Sequence, residues 1–160
     1  MQENTEYIQW ILDSPTRLYN ETNKAREALN RMYARATKVT SRITGMPGGG
    51  GSDSELLLAQ LADARDTFDR LVFAEIAARE FVMKLIHRSG LPRRQRRMLY
   101  YRYIKGYTWA YVWWILNTPE IVMSQRTMYR EHLRAIDTVA EYYKKGDFDE
   151  EDTYFVYESF

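Results

Sequence analysis

The sequence contains no cysteine and only two histidines among its 160 residues. The absence of cysteine excludes disulfide bonds, a thiol nucleophile, an iron–sulfur cluster and a cysteine-ligated zinc site. The two histidines, His87 and His132, lie far apart and predict no metal cluster. No run approaches the about 18 apolar residues of a membrane span, and the N-terminal stretch lacks a basic signal-peptide region. We therefore expect a cytoplasmic protein with no membrane contact, metal or cofactor.

Glycine is scarce, and its eight copies are unevenly placed. Five of them fall in a Gly-rich segment at 45–52, which has no Lys-Ser/Thr pair and follows a helical pattern rather than a strand. A flexible loop is therefore favoured over a phosphate-binding loop. The other three, Gly90, Gly106 and Gly146, each follow a helical pattern and predict where that helix ends.

Apolar residues recur at alternating spacings of three and four on both sides of the Gly-rich loop. The upstream positions are Leu18, Thr22, Ala25, Leu29, Met32, Ala36, Val39 and Ile43, and the downstream ones are Leu57, Leu61, Ala64, Phe68, Leu71, Ala78, Val82 and Leu85. This repeat predicts two long helices, the first entered at Asp13-Ser14-Pro15, that pair antiparallel across the loop. Pairing between two chains satisfies the same pattern, so a homodimer through the hairpin remains open.

Three shorter helices are predicted after Gly90. The first is opened by Pro92 and ends at Gly106, and the second is capped by Thr108. A third is capped by Ser124 and covers about 124–143. The predicted fold class is thus all-α, and three short helices that end in a basic one are typical of a helix-turn-helix. The predicted domains are 1–90 with the hairpin, 91–145 with the helix-turn-helix, and an acidic and aromatic tail or short strand at 146–160.

Charge is strongly segregated along the chain. Residues 88–134 carry ten basic and two acidic side chains, whereas residues 146–160 carry six acidic and no basic ones. A basic block beside an acidic tail is expected when one part of a protein meets a polyanion and another part does not. The alternative is that both charge runs are simply solvated surfaces.

The basic block resembles region 4 of bacterial sigma factors. The matching elements are Arg102-Tyr103-Ile104, Gly106, Thr108-Trp109, Val112, Leu116, Ser124, Arg126, Thr127, Tyr129, Arg130, His132, Arg134 and Ala135. Together they span residues 91–143, about a third of the chain. With the hairpin in front, the chain is similar to small phage and prophage proteins such as the RinA- and ArpU-type regulators of late genes. Here the connector is longer than usual at Thr118–Val122, and Trp113 replaces a small residue; the longer connector can supply the wider helix spacing that Trp113 needs.

The resemblance implies a sequence-specific, double-stranded DNA-binding regulator of transcription, with RNA polymerase as a further candidate partner. The residues expected to read bases from the helix at about 124–143 are Gln125, Arg126, Tyr129 and Arg130. The residues expected to contact phosphates are Arg93, Arg94, Arg96, Arg97, Thr108, Ser124 and Arg134. A dimer interface or an acidic protein surface would also explain the arginine cluster at 93–97. His132 is expected to be a hydrogen-bonded core histidine.

A second hypothesis keeps the fold without DNA binding. Tyr107, Tyr111 and Trp114 fall off the apolar stripe of their helix and form a candidate partner interface, although the hairpin could cover them instead. On this hypothesis the chain is a non-catalytic structural or adaptor protein of phage assembly or packaging. The acidic tail would fold over the basic surface or bind a partner. No arrangement of carboxylates or of Ser, His and Asp predicts an enzyme.

Overall fold

A computed structural model describes residues 2–43, 51–118 and 122–146, with side chains over 5–38, 55–118 and 122–146. Within these residues the regular secondary structure is entirely helical, which confirms the predicted all-α class. The elements are α1 (Gln2–Leu12), α2 (Ser14–Ile43), α3 (Gly51–Arg88), α4 (Arg93–Leu99), a π-helical turn (Tyr100–Ile104), α5 (Trp109–Leu116) and α6 (Gln125–Lys144).

The helix boundaries follow local signals in the sequence. Gly90, Gly106 and Gly146 adopt φ angles of 71°, 68° and 67°, the left-handed conformation that an L side chain rarely takes. Each therefore ends the helical segment before it, as predicted. Thr108 and Ser124 have extended backbones, and each side chain accepts a hydrogen bond from the third residue beyond it. Both predicted N-caps are confirmed.

The contacts divide the chain into two compact units. Among the described residues, one unit consists of 2–17 together with those from 76 to 146, and the other of those from 18 to 75. These divisions lie inside α2 and α3, whereas the sequence placed the boundary at residue 90. The end of α3 belongs with the short helices because Phe81, Val82, Leu85 and Ile86 are buried in the same apolar core as α4 to α6.

The N-terminal helix α1 is an element that sequence reasoning did not predict. Ile8, Ile11 and Leu12 are buried in the core of the first unit, and α1 packs against α6. The Thr5 hydroxyl donates to the Asp137 carboxylate over 3.1 Å, and the rings of Tyr7 and Tyr143 meet edge to face. In the segment YIQWIL, Tyr7 and Ile11 are four residues apart, as are Ile8 and Leu12, which is a helical spacing. A helical signal was therefore present before the break at Asp13.

The second unit contains most of the predicted apolar repeat. Leu18, Thr22 and Leu29 of α2 are buried, and the repeat positions of α3 from Leu57 to Leu71 are half-buried. The Arg26 guanidinium of α2 lies 5.7 Å from the ring centre of Phe68 of α3. The repeat positions are therefore the more protected side of each helix.

Three predicted features differ from the structure or lie outside the described residues. The helix α3 begins at Gly51, within the loop predicted at 45–52, and the remainder of that loop lies outside the described residues. The tail from residue 147 onward lies outside them as well. The helix predicted to run from Pro92 to Gly106 is α-helical only to Leu99 and then widens into the π-helical turn, whose closing bond joins the Lys105 N–H to the Tyr100 carbonyl over 3.1 Å.

Candidate nucleic-acid interface

The helix α6 has two chemically different faces. Its inward face is made by Met128, His132, Ala135, Ile136, Val139 and Ala140, all of them buried. Their spacing of three and four places them on one stripe of the helix. The other residues of the first two turns are polar or aromatic; Thr127 and Glu131 are half-buried and the rest are exposed. The helix α6 is therefore fixed by one side and presents the other to solvent.

The four residues predicted to read bases all lie on that exposed side. Gln125, Arg126, Tyr129 and Arg130 are exposed, and the last three share one face because residues three and four apart are neighbours on a helix. Tyr129 keeps 60% of its surface exposed, although its ring centre lies 6.4 Å from that of His132. The first two turns of α6 thus combine an amide, two guanidinium groups and a phenol on a rigid support.

Ser124 stabilises the start of this helix. Its hydroxyl oxygen accepts from the Thr127 N–H over 3.1 Å and lies 2.9 Å from the Thr127 hydroxyl oxygen. The N-terminal end of a helix carries a partial positive charge, which favours an anion such as phosphate. Ser124 is exposed, so this end of α6 is accessible to a ligand.

Arg134, a predicted phosphate contact, is held by a carboxylate. Its guanidinium donates to Glu131 over 3.0 Å, and the other Glu131 carboxylate oxygen accepts from the Gln95 amide of α4 over 2.8 Å. The hydrogen bond from Gln95, with the nearby charges of Arg134 and Arg94, holds the pKa of Glu131 below its usual range. Glu131 therefore joins α4 to α6 within the basic surface. Sequence reasoning missed it, although it is the only acidic residue between Gln125 and Arg134.

The four arginines at the start of α4 divide into two groups. Arg93, Arg94 and Arg97 are exposed. Arg96 is half-buried, its Nη2 donates to the Leu91 carbonyl over 3.1 Å, and its buried Nε has no hydrogen-bond partner. Arg96 thus stabilises the turn into α4, and three of the four predicted cations remain at the surface.

Thr108 combines a structural role with exposure. Its hydroxyl oxygen accepts from the Tyr111 N–H over 3.3 Å and caps α5. A hydroxyl that accepts one hydrogen bond still has a proton to donate, so the exposed Thr108 can also bind an anion. The cap and the predicted phosphate contact are therefore chemically compatible.

The connector between α5 and α6 is hydrogen-bonded to α5 and its C-cap through Met123, the residue before the Ser124 cap. The Trp113 indole N–H donates to the Met123 carbonyl over 2.6 Å. The Asn117 amide donates to the same carbonyl over 3.2 Å, and its oxygen accepts from the Met123 N–H over 2.7 Å. The Met123 side chain is buried. Trp113, the bulky residue at the helix-helix position, thus serves as a hydrogen-bond donor to the segment that leads into α6.

The buried side chain of His132 joins α6 to the π-helical turn and to α5. It is 3% exposed, and its Nε2 lies 2.8 Å from the Tyr103 hydroxyl, which confirms the predicted hydrogen-bonded core histidine. The Trp109 ring meets the imidazole edge to face at 4.5 Å. Burial, reinforced by the charge of Arg102, lowers the pKa of His132 to about 4, and burial raises the pKa of Tyr103. The pair is therefore neutral near pH 7.

The predicted partner-interface residues belong to a longer row of rings. We call this row the aromatic ladder and define it as Tyr100, Tyr101, Tyr107, Tyr111 and Trp114. Successive ring centres are 4.8 to 6.0 Å apart. Tyr107 is half-buried, whereas Tyr111 and Trp114 keep 45% and 65% of their surfaces exposed. The structure thus joins the three predicted residues to two tyrosines of the π-helical turn.

Comparison with known proteins provides no family assignment, because no family model, curated protein or solved structure matches the chain. Over the described ranges no group of three or more His, Asp or Glu side chains could hold a metal ion. Among the same residues, no helix has the length and apolar character needed to cross a membrane. Two surfaces of the described residues can therefore bind a partner: the aromatic ladder, and a basic surface on α4 and α6 made by Arg93, Arg94, Arg97, Arg126, Arg130 and Arg134.

Proposed function

We propose that the protein is a sequence-specific, duplex DNA-binding regulator of transcription of the phage or prophage type, with α6 as the recognition helix. The observation that carries this proposal is the exposed face of Gln125, Arg126, Tyr129 and Arg130 on the first two turns of a helix anchored by its opposite face. Residues of this kind at the N-terminal end of a helix suit base-edge contacts in a major groove.

The proposed architecture is a long antiparallel hairpin of α2 and α3, followed by a sigma region-4-like helix-turn-helix of α4, α5 and α6. Four features support this architecture: the order of the three helices, the packing of α4 against α5 and α6, the ring contact between Trp109 of α5 and His132 of α6, and the caps at Thr108 and Ser124. The lengthened turn is compatible with it because Trp113 and Asn117 bind Met123 directly before α6. The hairpin would provide oligomerisation or docking to RNA polymerase.

The chemistry of the exposed face fits direct readout. An arginine can bind guanine O6 and N7 with two hydrogen bonds, glutamine can do the same with adenine, and each good pair gives about 1 to 3 kcal/mol of discrimination. Arg126 and Arg130 are the proposed guanine readers, with Gln125 and Tyr129 beside them. A major groove about 12 Å wide admits one helix, so these side chains would enter together.

Phosphate contacts would come from the surface around the recognition helix. Arg93, Arg94 and Arg97 on α4 are exposed, and α4 is joined to α6 through Gln95 and Glu131. Each phosphate contact contributes a slope of about −0.9 to the dependence of log affinity on log salt concentration. Arg134 would contribute when phosphate displaces Glu131 from its guanidinium.

The second candidate function is a structural or adaptor protein that binds protein through the aromatic ladder. The observation that favours it is the exposure of Tyr111 and Trp114, since aromatic side chains of this type concentrate at protein interfaces. On this proposal the basic surface would bind an acidic protein partner, and DNA affinity would be weak and independent of sequence.

A binding selection on fragmented DNA from the genome that encodes the protein separates the two functions. The wild-type chain is compared with an Arg126→Ala/Arg130→Ala variant at physiological salt, and the bound fragments are sequenced. An Arg31→Ala/Arg70→Ala variant is the matched control, because it removes two exposed, ion-paired arginines from α2 and α3.

The DNA-binding proposal expects one enriched motif with the wild type and the control, and its loss with the α6 variant. Equal recovery of all fragments by the three proteins would refute a reading role for α6 and favour the adaptor. The salt dependence is measured on the enriched site, where Arg93→Ala should reduce the slope by about 1 without changing the motif.

A further inference from the structure

The aromatic ladder ends in an apolar surface that faces solvent. Tyr111 and Trp114 of α5 stack with ring centres 5.6 Å apart and an angle of 14° between the rings, although both are strongly exposed. Tyr111 also meets Tyr107 edge to face with ring centres 4.8 Å apart, and the row continues from Tyr107 to Tyr101 and Tyr100. A preformed, exposed aromatic stack is typical of an interaction surface, because its side chains lose little conformational entropy when a ligand binds.

Charged side chains are unevenly distributed along the aromatic ladder. At the end in the π-helical turn, the Arg97 guanidinium lies 5.7 Å from the ring centre of Tyr101, and the Lys105 ammonium lies 5.7 Å from that of Tyr100. At the other end α5 has the sequence WAYVWWIL, which contains no charged residue. The ladder therefore has cations beside its rings at the π-helical end, whereas α5 contributes no charged side chain of its own at the other end.

The same chain contains a segment with the complementary order of residues. Positions 147–152 read DFDEED and include five carboxylates, and positions 153–160 read TYFVYESF and include four aromatic residues. The segment therefore has acidic residues followed by aromatic ones, and the ladder has cations followed by aromatic rings. When the two are aligned in this order, the carboxylates meet the cations and the aromatic side chains meet the rings at the same time.

The segment is long enough to reach the ladder. The helix α6 ends at Lys144, and Gly146, with its φ of 67°, turns the chain away from the helix axis. The 20 residues of α6 span about 30 Å, and Met123 at the start of α6 is bonded to Trp113 of α5. His132, which bonds Tyr103 of the π-helical turn, lies about 21 Å along α6 from Gly146, and residues 147–152 can extend to about 20 to 22 Å. All 14 residues of 147–160 can extend to about 46 to 50 Å, which exceeds the length of α6.

We propose that the aromatic ladder is the docking surface for residues 147–160 of the same chain, with the carboxylates toward Arg97 and Lys105 and the aromatic side chains on Tyr111 and Trp114. The contact requires no nucleic acid and does not rest on the proposed function, although it engages Arg97, one of the proposed phosphate contacts. Because the segment is tethered, its effective concentration at the ladder is on the order of 1 mM, so even a weak intrinsic affinity keeps it docked.

The absence of native cysteine allows a direct test in the full-length chain. A fluorophore that tryptophan quenches on contact is attached through Glu158→Cys, and its emission is compared in chains with Trp114 and with Trp114→Phe. Docking predicts emission about half or less of that in the Trp114→Phe chain when the intrinsic Kd is about 1 mM or tighter. Trp10→Phe is the matched control, because Trp10 is an exposed tryptophan outside the ladder and its removal should leave the quenching unchanged.

The possible outcomes decide the proposal as follows. Quenching that is independent of protein concentration supports docking within one chain, whereas quenching that grows with concentration overturns it in favour of a second copy. Quenching that weakens with added salt, and in a Glu150→Gln/Glu151→Gln variant, supports the charge match. Equal emission from the Trp114 and Trp114→Phe chains would overturn the proposal. The far-ultraviolet circular dichroism of each variant reports on folding, and failure of the DNA selection would not affect this result.

Discussion

Acidification should destabilise the protein through one buried side chain, His132. The imidazole is 3% exposed and its pKa is about 4 in the folded protein, against about 6.5 for an unperturbed histidine. The folded state therefore favours neutral His132, and its contribution to stability is complete above pH 6.5. That contribution is lost as the pH falls from 6.5 toward 4, because the unfolded chain binds the proton first.

The magnitude follows from the difference between the two pKa values. One pKa unit corresponds to about 1.4 kcal/mol, so the full loss below pH 4 is about 3 kcal/mol. At pH 5 the unfolded chain is almost fully protonated at this position and the folded chain is not, which gives a loss of about 2 kcal/mol relative to pH 7.5. Asp13 acts in the opposite direction, because its burial raises its pKa and acid then favours the folded state.

The assay is urea unfolding at pH 7.5 and pH 5 of the wild type and of His132→Leu, followed by circular dichroism. The difference in free energy of unfolding between the two pH values should be about 2 kcal/mol larger for the wild type, while the contribution of Asp13 cancels in the comparison. His87→Asn, which removes the exposed histidine, is measured in parallel as the control for the loss of an imidazole. Parallel pH dependence in the wild type and His132→Leu would refute the reasoning.

Three other changes test separate parts of the structure. Asn117→Ala should lower the free energy of unfolding by about 1 to 3 kcal/mol, since it removes both bonds to the Met123 backbone; an unchanged urea midpoint would show that the connector is held without them. Gly106→Ala should lower the free energy of unfolding by about 1 to 2 kcal/mol, because the φ of Gly106 is 68°. The space around Gly106 is open, so the cost is conformational alone, and a larger loss in urea unfolding would contradict this. Glu131→Gln should tighten DNA binding and steepen its salt dependence in a fluorescence-anisotropy titration, because it removes a negative charge and frees Arg134 for phosphate; weaker binding would instead show that Glu131 mainly positions α4.

The helical segments were largely predictable because their limits depend on neighbouring residues. A glycine in the left-handed conformation, as at Gly90 or Gly106, ends a helix whatever lies around it, and the hydroxyls of Thr108 and Ser124 cap a backbone N–H three residues away. The side of α6 that faces inward was also encoded in its apolar spacing. The exposed face that contains Arg126, Tyr129 and Arg130 followed from the same periodicity, since it is the complement of the buried stripe.

Contacts between distant residues were not predictable in the same way. The sequence could not show that Tyr103 bonds to His132 or that Gln95 bonds to Glu131, because these pairs meet only when α4 and the π-helical turn pack against α6. It also treated the arginines of α4 as equivalent. Only the packed structure separates the half-buried Arg96, bound to the Leu91 carbonyl, from its exposed neighbours.

The sequence by itself thus determined the all-helical class, the helix ends and the polar face of α6, because propensity, capping and periodicity act within a few residues along the chain. Tertiary structure alone decided that α1 belongs to the unit that contains α6, that Trp113 and Asn117 hold the connector at Met123, and which cations remain exposed. Those features require groups distant in sequence to be desolvated together, and burial and hydrogen-bond pairing of that kind exist only in the folded chain.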